Sequence, residues 1–370
     1  MVAVSASYPS TSYANLATTM AASVAANTAS ANAASKSTTS AEQPATSITL
    51  SSEAQAALAK KDFATVLADA HAKLLALLKD ANRTSPLKDG KLALDLSSLD
   101  PRELYAMSSD KSFSPDEREA AGLEMQRRFE SAMSGPAAVA KVTGDYTGLY
   151  KAAAVYLDSL GDEEKNGTDW IAGRDAITEG LKQLQSDPKK MPDAGDQDPV
   201  ALYLALANAG QTQQQDIKDV ATGARASLDA LYAKAIKDGK VPTFNKQTTI
   251  GTYIDMSSFP SRTLSAIALN TDNKFAPEET NAAQAALRTK SGAALLAGFK
   301  SASKSSDPTA FSQNIISVYS SMSDEERQAA GWSPDFYAAA LASYQTTNKL
   351  TEMFAQAGGN TSFFSWMGSK

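Results

Sequence analysis

Three short runs of acidic and hydroxyl residues are the places where this chain could carry chemistry. Residues 110–121 read DKSFSPDEREAA, with an Asp, two Ser, then an Asp and two Glu within ten positions. Clustered oxygens of this kind suit a calcium loop. The spacing does not: a loop starting at Asp110 puts Pro115 where glycine makes the sharp turn and Ala121 where a bidentate Glu closes the site. The same residues read well as a helix start. Ser114 is the N-cap, Pro115 the first helical residue, and Asp116 and Glu117 place negative charge against the positive end of the helix dipole. Phe113, just before the cap, can staple onto the helix body.

The runs GDEEKNGTDW (161–170) and SDEERQAAGW (323–332) offer Glu163 with Glu164, or Glu325 with Glu326, as an acid and a base. Adjacent residues on a helix point apart, so such a dipeptide does not make a facing pair. Ser323 with Glu326 is again a capping box. His71 is the one histidine and the one side chain that titrates near neutrality unaided. Its position predicts a solvated helix face, with no Ser or Asp partner at a spacing that suggests a triad. Asp193, Asp196 and Asp198 fall in a Pro- and Gly-containing stretch and read as a solvated charge run. There is no phosphate-binding GxxxxGK[ST] or GxGxxG. Without cysteine, thiol nucleophiles, disulfides and Cys-ligated zinc or iron–sulfur centres are excluded, and a single histidine excludes HExxH. The expectation is therefore no catalytic residue, no cofactor and no metal.

The elements that would position any site come in two sets. DFATVLADAHAKLLALL (62–78) matches DIKDVATGARASLDALY (216–232) at an offset of 154. DLSSLDPRELYA (95–106) matches DMSSFPSRTLSA (255–266) at 160, and FSPDEREAA (113–121) matches FAPEETNAA (275–283) at 162. The last offset continues to the two DEE runs and pairs Trp170 with Trp332. Four blocks in one order imply an internal duplication of a unit of roughly 130 residues. The fold class expected is mainly α, a duplicated five- to six-helix unit. Helices are expected over 53–80 and 198–238 (the latter as one or two), and from near 100, 114 and 145 with their counterparts. Two extended pieces, 92–98 and 252–258, are expected to pair antiparallel between the copies. Phe113, Phe275, Trp170 and Trp332 are the expected core anchors.

The domain reading is a Ser/Thr/Ala-rich disordered segment over 1–52, a helical copy over 53–190, a linker over 191–205, a second copy over 206–352 and an aromatic tail over 353–370. In residues 1–52 only Lys36 and Glu42 are charged, so little can be buried there to offset backbone ordering. The leader, MVAVSASYPSTSYANLATTM and onward, resembles the leaders of flagellar and type III export substrates in composition over about the first 50 residues. The resemblance implies export without a cleaved Sec signal from a bacterial cell. The tail carries Phe363, Phe364, Trp366 and Met367, which either fold back onto a groove of the body or bind a partner.

A net charge of −6 and a pI of about 5.1 give no basic footprint for nucleic acid. No run approaches the roughly 18 apolar residues of a membrane span. The functional expectation is a non-enzymatic structural or protein-interaction protein, exported as above. The alternatives are a cytoplasmic adaptor holding a peptide or helix between the copies, and a hydrolase working with carboxylates alone. The sequence leaves the oligomeric state open.

Overall fold

The computed structural model describes residues 61–212 and 215–359, with side chains as far as Met353. The fold is mainly α: thirteen helices and two short strand pairs among the described residues.

Helix α1 (Phe63–Asp80) starts where Asp62 accepts the Thr65 N–H at 2.7 Å. That cap sets its first residue ten positions later than the apolar pattern alone suggested, and residues 53–60 of the expected helix lie outside the described residues. Val66, Ala70, Leu74 and Leu78, four apart, form its buried stripe. A two-strand hairpin follows, β1 (Leu87–Lys88) and β2 (Lys91–Leu92), turning through Asp89 and Gly90 at φ 53 and 69. Two left-handed residues in that order are the tight turn whose twist suits paired strands.

Helix α2 (Pro101–Ser109) opens with a reciprocal box between Asp100 and Glu103. Helix α3 (Pro115–Thr143) opens with the Ser114–Glu117 box read from the sequence and ends at Gly144, φ 72. Then come α4 (Thr147–Asp158), the single turn α5 (Asp162–Lys165), α6 (Thr168–Ser186) and α7 (Pro199–Asn208). Residues 191–198 carry no regular structure, but α7 corrects the expected 191–205 linker. Asp198 caps it, and Val200 and Tyr203 are buried in the first core.

The second half runs α8 (Ile217–Lys237), β3 (Val241–Thr243), β4 (Gly251–Tyr253), α9 (Ser261–Ala268), α10 (Pro277–Ala302), α11 (Ala310–Ser321), α12 (Asp324–Ala330) and α13 (Pro334–Gly359). The order of α-helices and strands follows that of α1 to α6, while α7 and a short 3-10 turn at Thr271–Asn273 lack described counterparts. The expected strand pairing between halves is corrected. β2 pairs with β1 and β4 with β3, the latter in parallel register with Val241 opposite Gly251. Each extended piece finds its partner nearby in the chain, β2 through a tight turn and β4 through the loop 244–250, and a short loop closes at less entropic cost than a pairing across the chain.

Some of the positions matched in the sequence make similar contacts. Arg102 pairs with Glu163 and donates to the Lys61 carbonyl; Arg262 pairs with Glu325 and donates to the Gln215 carbonyl. His71 stacks on Phe113 with centroids 3.7 Å apart, and Arg225 lies over the Phe275 ring at 5.7 Å. Asp95 accepts from the Ser97 N–H and Asp255 from the Ser257 N–H.

The halves meet mainly where α3 crosses α11. A methyl group on Gly135 would stand 2.6 Å from the Ser317 hydroxyl, so glycine is what lets the two helices approach. Beside that crossing Ala138, Val139 and Val142 pack on Ile315, Ile316 and Tyr337. Asp95 packs against Gly223 on α8. Glu124, 1% exposed, anchors the α3 side. It binds Arg127 and Arg128 at 2.7 Å each, and Arg128 also donates to the carbonyls of Leu96, Ser97 and Leu99.

Candidate interaction surface

Each residue singled out for chemistry has a defined place. Asp110 accepts the Ser112 N–H within the turn before α3, and Ser114 and Glu117 cap that helix. Among the described residues no group of three His, Asp or Glu side chains is placed to hold a metal ion. His71 is half-buried on Phe113 with Nε2 2.9 Å from the Ser112 hydroxyl, a serine partner 41 positions away that spacing along the chain did not suggest.

Glu163 and Glu164, adjacent on α5, lie in different surroundings. Burial works to raise the Glu163 carboxyl, but the Arg102 guanidinium outweighs it and leaves the group below its usual range. Glu164 is 1% exposed, and neither of its oxygens forms a full hydrogen bond among the described residues. Burial pushes it well above the usual carboxylate range, against a weaker downward pull from the Gly161 N–H. Two carboxyls driven apart can mark an acid and a base. Here the second is sealed from solvent, so it has no route to a substrate. Its counterpart Glu326 closes the Ser323 capping box instead.

Of the acidic trio, Asp198 is not solvated. It is fully buried, accepts from the Val200 and Ala201 N–H groups, and receives the Tyr150 hydroxyl. Burial raises both groups above their ordinary values, the Tyr150 phenol most strongly. Asp196 lines a wide, shallow hollow of about 370 Å³ beside α6, with Asp175 and Glu179. Phe113 and Phe275 are buried, whereas Trp170 and Trp332 are half-buried. Trp170 donates to the Leu157 carbonyl at 2.8 Å, and Trp332 sits edge-on to Phe336 at 5.1 Å. Phe363, Phe364, Trp366 and Met367 lie outside the described residues.

What sequence reasoning missed is apolar surface. At the end of α8 the chain turns through Gly239, φ 70, into β3. Gly251 allows β4 to close on β3, since a methyl there would meet the Val241 carbonyl oxygen at 2.7 Å. This small unit leaves Ile236, Val241 and Ile250 outside, at 65%, 71% and 89% exposure. All three belong to or flank one helix end and its strand pair, unlike exposures scattered over different elements. The available signal was an Ile and a Val flanking turn residues, where a solvated loop favours polar side chains. A second patch joins α10 to α11, where Phe299 and Phe311 meet edge-to-face at 5.7 Å with Leu296 beside them.

No helix among the described residues is long and apolar enough to cross a membrane. Comparison of the chain with protein-family models, with curated proteins and with solved structures gave no match.

Proposed function

We propose that this is a non-enzymatic protein-interaction protein, built from two copies of one helical unit, that engages a protein partner through the α8–β3–β4 rim. The observation that carries the reading is the exposure of Ile236, Val241 and Ile250 together on that rim. Leaving such groups in water forgoes about 1.5–3 kcal/mol each, which a partner surface recovers on binding. The repeated Arg–Glu contacts and helix order support the duplicated architecture. The adaptor reading, with a ligand between the copies, draws no support from the seam, where Gly135 is packed directly on Ser317. Export belongs to the proposal through the composition of residues 1–52, and predicts full-mass protein in the culture medium with its N-terminus intact.

The test is a photo-reactive residue introduced at Ile250 in the full chain within its own cell. A discrete crosslinked protein, lost when Val241→Asp and Ile236→Asp are added while thermal stability is kept, supports the reading. A crosslink pattern unchanged by those substitutions overturns it.

A further inference from the structure

The α8–β3–β4 rim is a short stretch of backbone folded on itself. The Gly239 N–H donates to the Ile236 carbonyl at 2.9 Å and the Lys240 N–H to the Ala235 carbonyl at 3.0 Å, which turns the end of α8 into β3. Val241 is the register partner of Gly251, so Ile250 lies one residue from a position about 4.8 Å across the ladder. Phe244 marks the inner side: its ring meets Tyr232 of α8 edge-on at 6.4 Å and packs on the second core. Strand alternation puts Val241, three positions earlier, on the other side, where it is exposed. Parallel strands ordinarily have both faces covered by further layers. Here the outer face is bare among the described residues, although it carries a valine.

The charge along this stretch is mostly of one sign. From 234 to 255 the charged residues are Lys234, Lys237, Asp238, Lys240, Lys246 and Asp255. All four lysines are exposed, and among the described residues none of them forms an ion pair. Lys234 and Lys237 sit in the last turn of α8, where the helix dipole favours a cation. Lys240 and Lys246 have no helix end to serve. Lys240 immediately precedes Val241, and Lys246 lies over the Tyr253 ring of β4 at 5.5 Å, which holds it beside the strand pair. Asp255 accepts the Ser257 N–H within its own turn.

We propose that the partner of the rim is an acidic protein surface, apolar where it covers Val241 and Ile250 and edged with Asp or Glu carboxylates that meet Lys240 and Lys246. The inference rests on the reading of the rim as a docking site and names the chemistry of what docks there. Apolar contact alone would suit many surfaces. The lysines select among them, because like charges brought together across an interface repel and opposite ones steer the encounter. An anionic bilayer shares the negative charge, but the chain's own net charge of −6 opposes its approach. The bare face of a strand pair is also what a further layer of protein covers.

The photo-reactive residue at Ile250, in the full chain and its own cell, is combined with Lys240→Glu and Lys246→Glu, two exposed positions outside any helix. A parallel version carries Lys240→Gln and Lys246→Gln. The crosslinked protein segment is expected to hold an excess of Asp and Glu. Its yield is expected to fall about tenfold with the glutamates and about threefold with the glutamines, at an unchanged melting temperature. In lysate, the yield of the parent should fall as salt rises from about 0.05 to 0.3 M, as screening removes the attraction. Equal yields in all three proteins, or a crosslinked segment that is neutral or basic, overturn the acidic assignment and leave the rim a docking site. Co-sedimentation of the parent with phosphatidylserine–phosphatidylcholine vesicles, lost with the glutamates, assigns the face to lipid and overturns it as well. A crosslink that survives Val241→Asp with Ile236→Asp, or the absence of any discrete crosslink, defeats the rim reading itself, so the two failures are told apart.

Discussion

In the first half Phe129 and Tyr150 are fully buried, with Tyr203 of α7 edge-on to Phe129 and the Tyr150 hydroxyl on Asp198. At the positions 162 residues on, α10 and α11 carry Ser291 and Ser312. Ser291 donates to the Leu287 carbonyl on its own helix, and Ser312 donates to Ser343 on α13. The first half fills its centre with its own rings. The second brings in packing from outside, resting Ile315 and Ile316 on Ala138, Val139 and Val142 of α3. The Arg–Glu contact that ties the second helix of each half to its DEE turn nonetheless recurs in both, through two nitrogens of Arg102 and one of Arg262. Polar locks have strict geometry and few substitutes, whereas apolar volume can be supplied from any direction that fills the space. The comparison teaches that the arrangement of elements is held by the locks, while the source of core volume differs between halves.

The largest break in that comparison is expected at Glu124, whose buried ion pairs have no counterpart, since Ala286 stands at the equivalent position. Glu124→Ala leaves two partly buried guanidinium groups without their carboxylate and is expected to cost about 3–5 kcal/mol in urea unfolding. Burial raises the Glu124 carboxyl, but Arg127 and Arg128 outweigh it and hold the group down to about 2. A depressed folded value means that this stabilisation is complete above the ordinary carboxylate range and is lost as pH falls toward 2. Acid unfolding in that window should therefore be flatter in the variant than in the parent.

Arg102→Ala and Arg262→Ala sharpen the comparison from the other side. Each removes a charge-assisted bond to a Glu and a bond to a backbone carbonyl, worth about 1.5–3 kcal/mol together. If the locks are equivalent, the two losses agree to within about 0.5 kcal/mol in matched denaturation curves. A difference larger than about 1.4 kcal/mol, a factor of ten in the folding constant, would show that the second half leans on its lock differently.

How far the sequence reached follows the same division between local and distant causes. The caps at Ser114 and Ser323 were legible because their partners Glu117 and Glu326 lie three residues away. The Asp89–Gly90 hairpin was equally local, and its dipeptide is a strong turn signal, but it was passed over in favour of a long-range strand pairing. Asp198 was misread because an N-cap before Pro199 looks like any acidic loop residue until Tyr150, 48 positions earlier, is brought against it. Burial at Glu164 was not legible, since it depends on which helix arrives from elsewhere.

Glu164 and Glu326 give the smallest and most discriminating contrast, because one position in two halves should respond with opposite signs. Glu326 accepts the Ser323 N–H at 2.7 Å while Ser323 accepts in return. Glu326→Gln weakens that box and should cost about 0.5–1 kcal/mol. In the first half Gly161 stands where Ser323 does, so no hydroxyl returns the bond, and Glu164 is buried beneath its own turn. Its raised folded value means that the protonated form is the one that fits. Stability from this group is complete below the ordinary carboxylate range and declines as pH rises, because the unfolded chain ionises first. Glu164→Gln keeps the shape without the charge and should raise stability at neutral pH by about 1 kcal/mol, with no gain at pH values where the parent carboxyl is already protonated. Melting temperatures of parent and variant across that range measure it. Curves that run parallel, or a loss at neutral pH, would mean that Glu164 is ionised and partnered in solution, and the two DEE turns would then be alike after all.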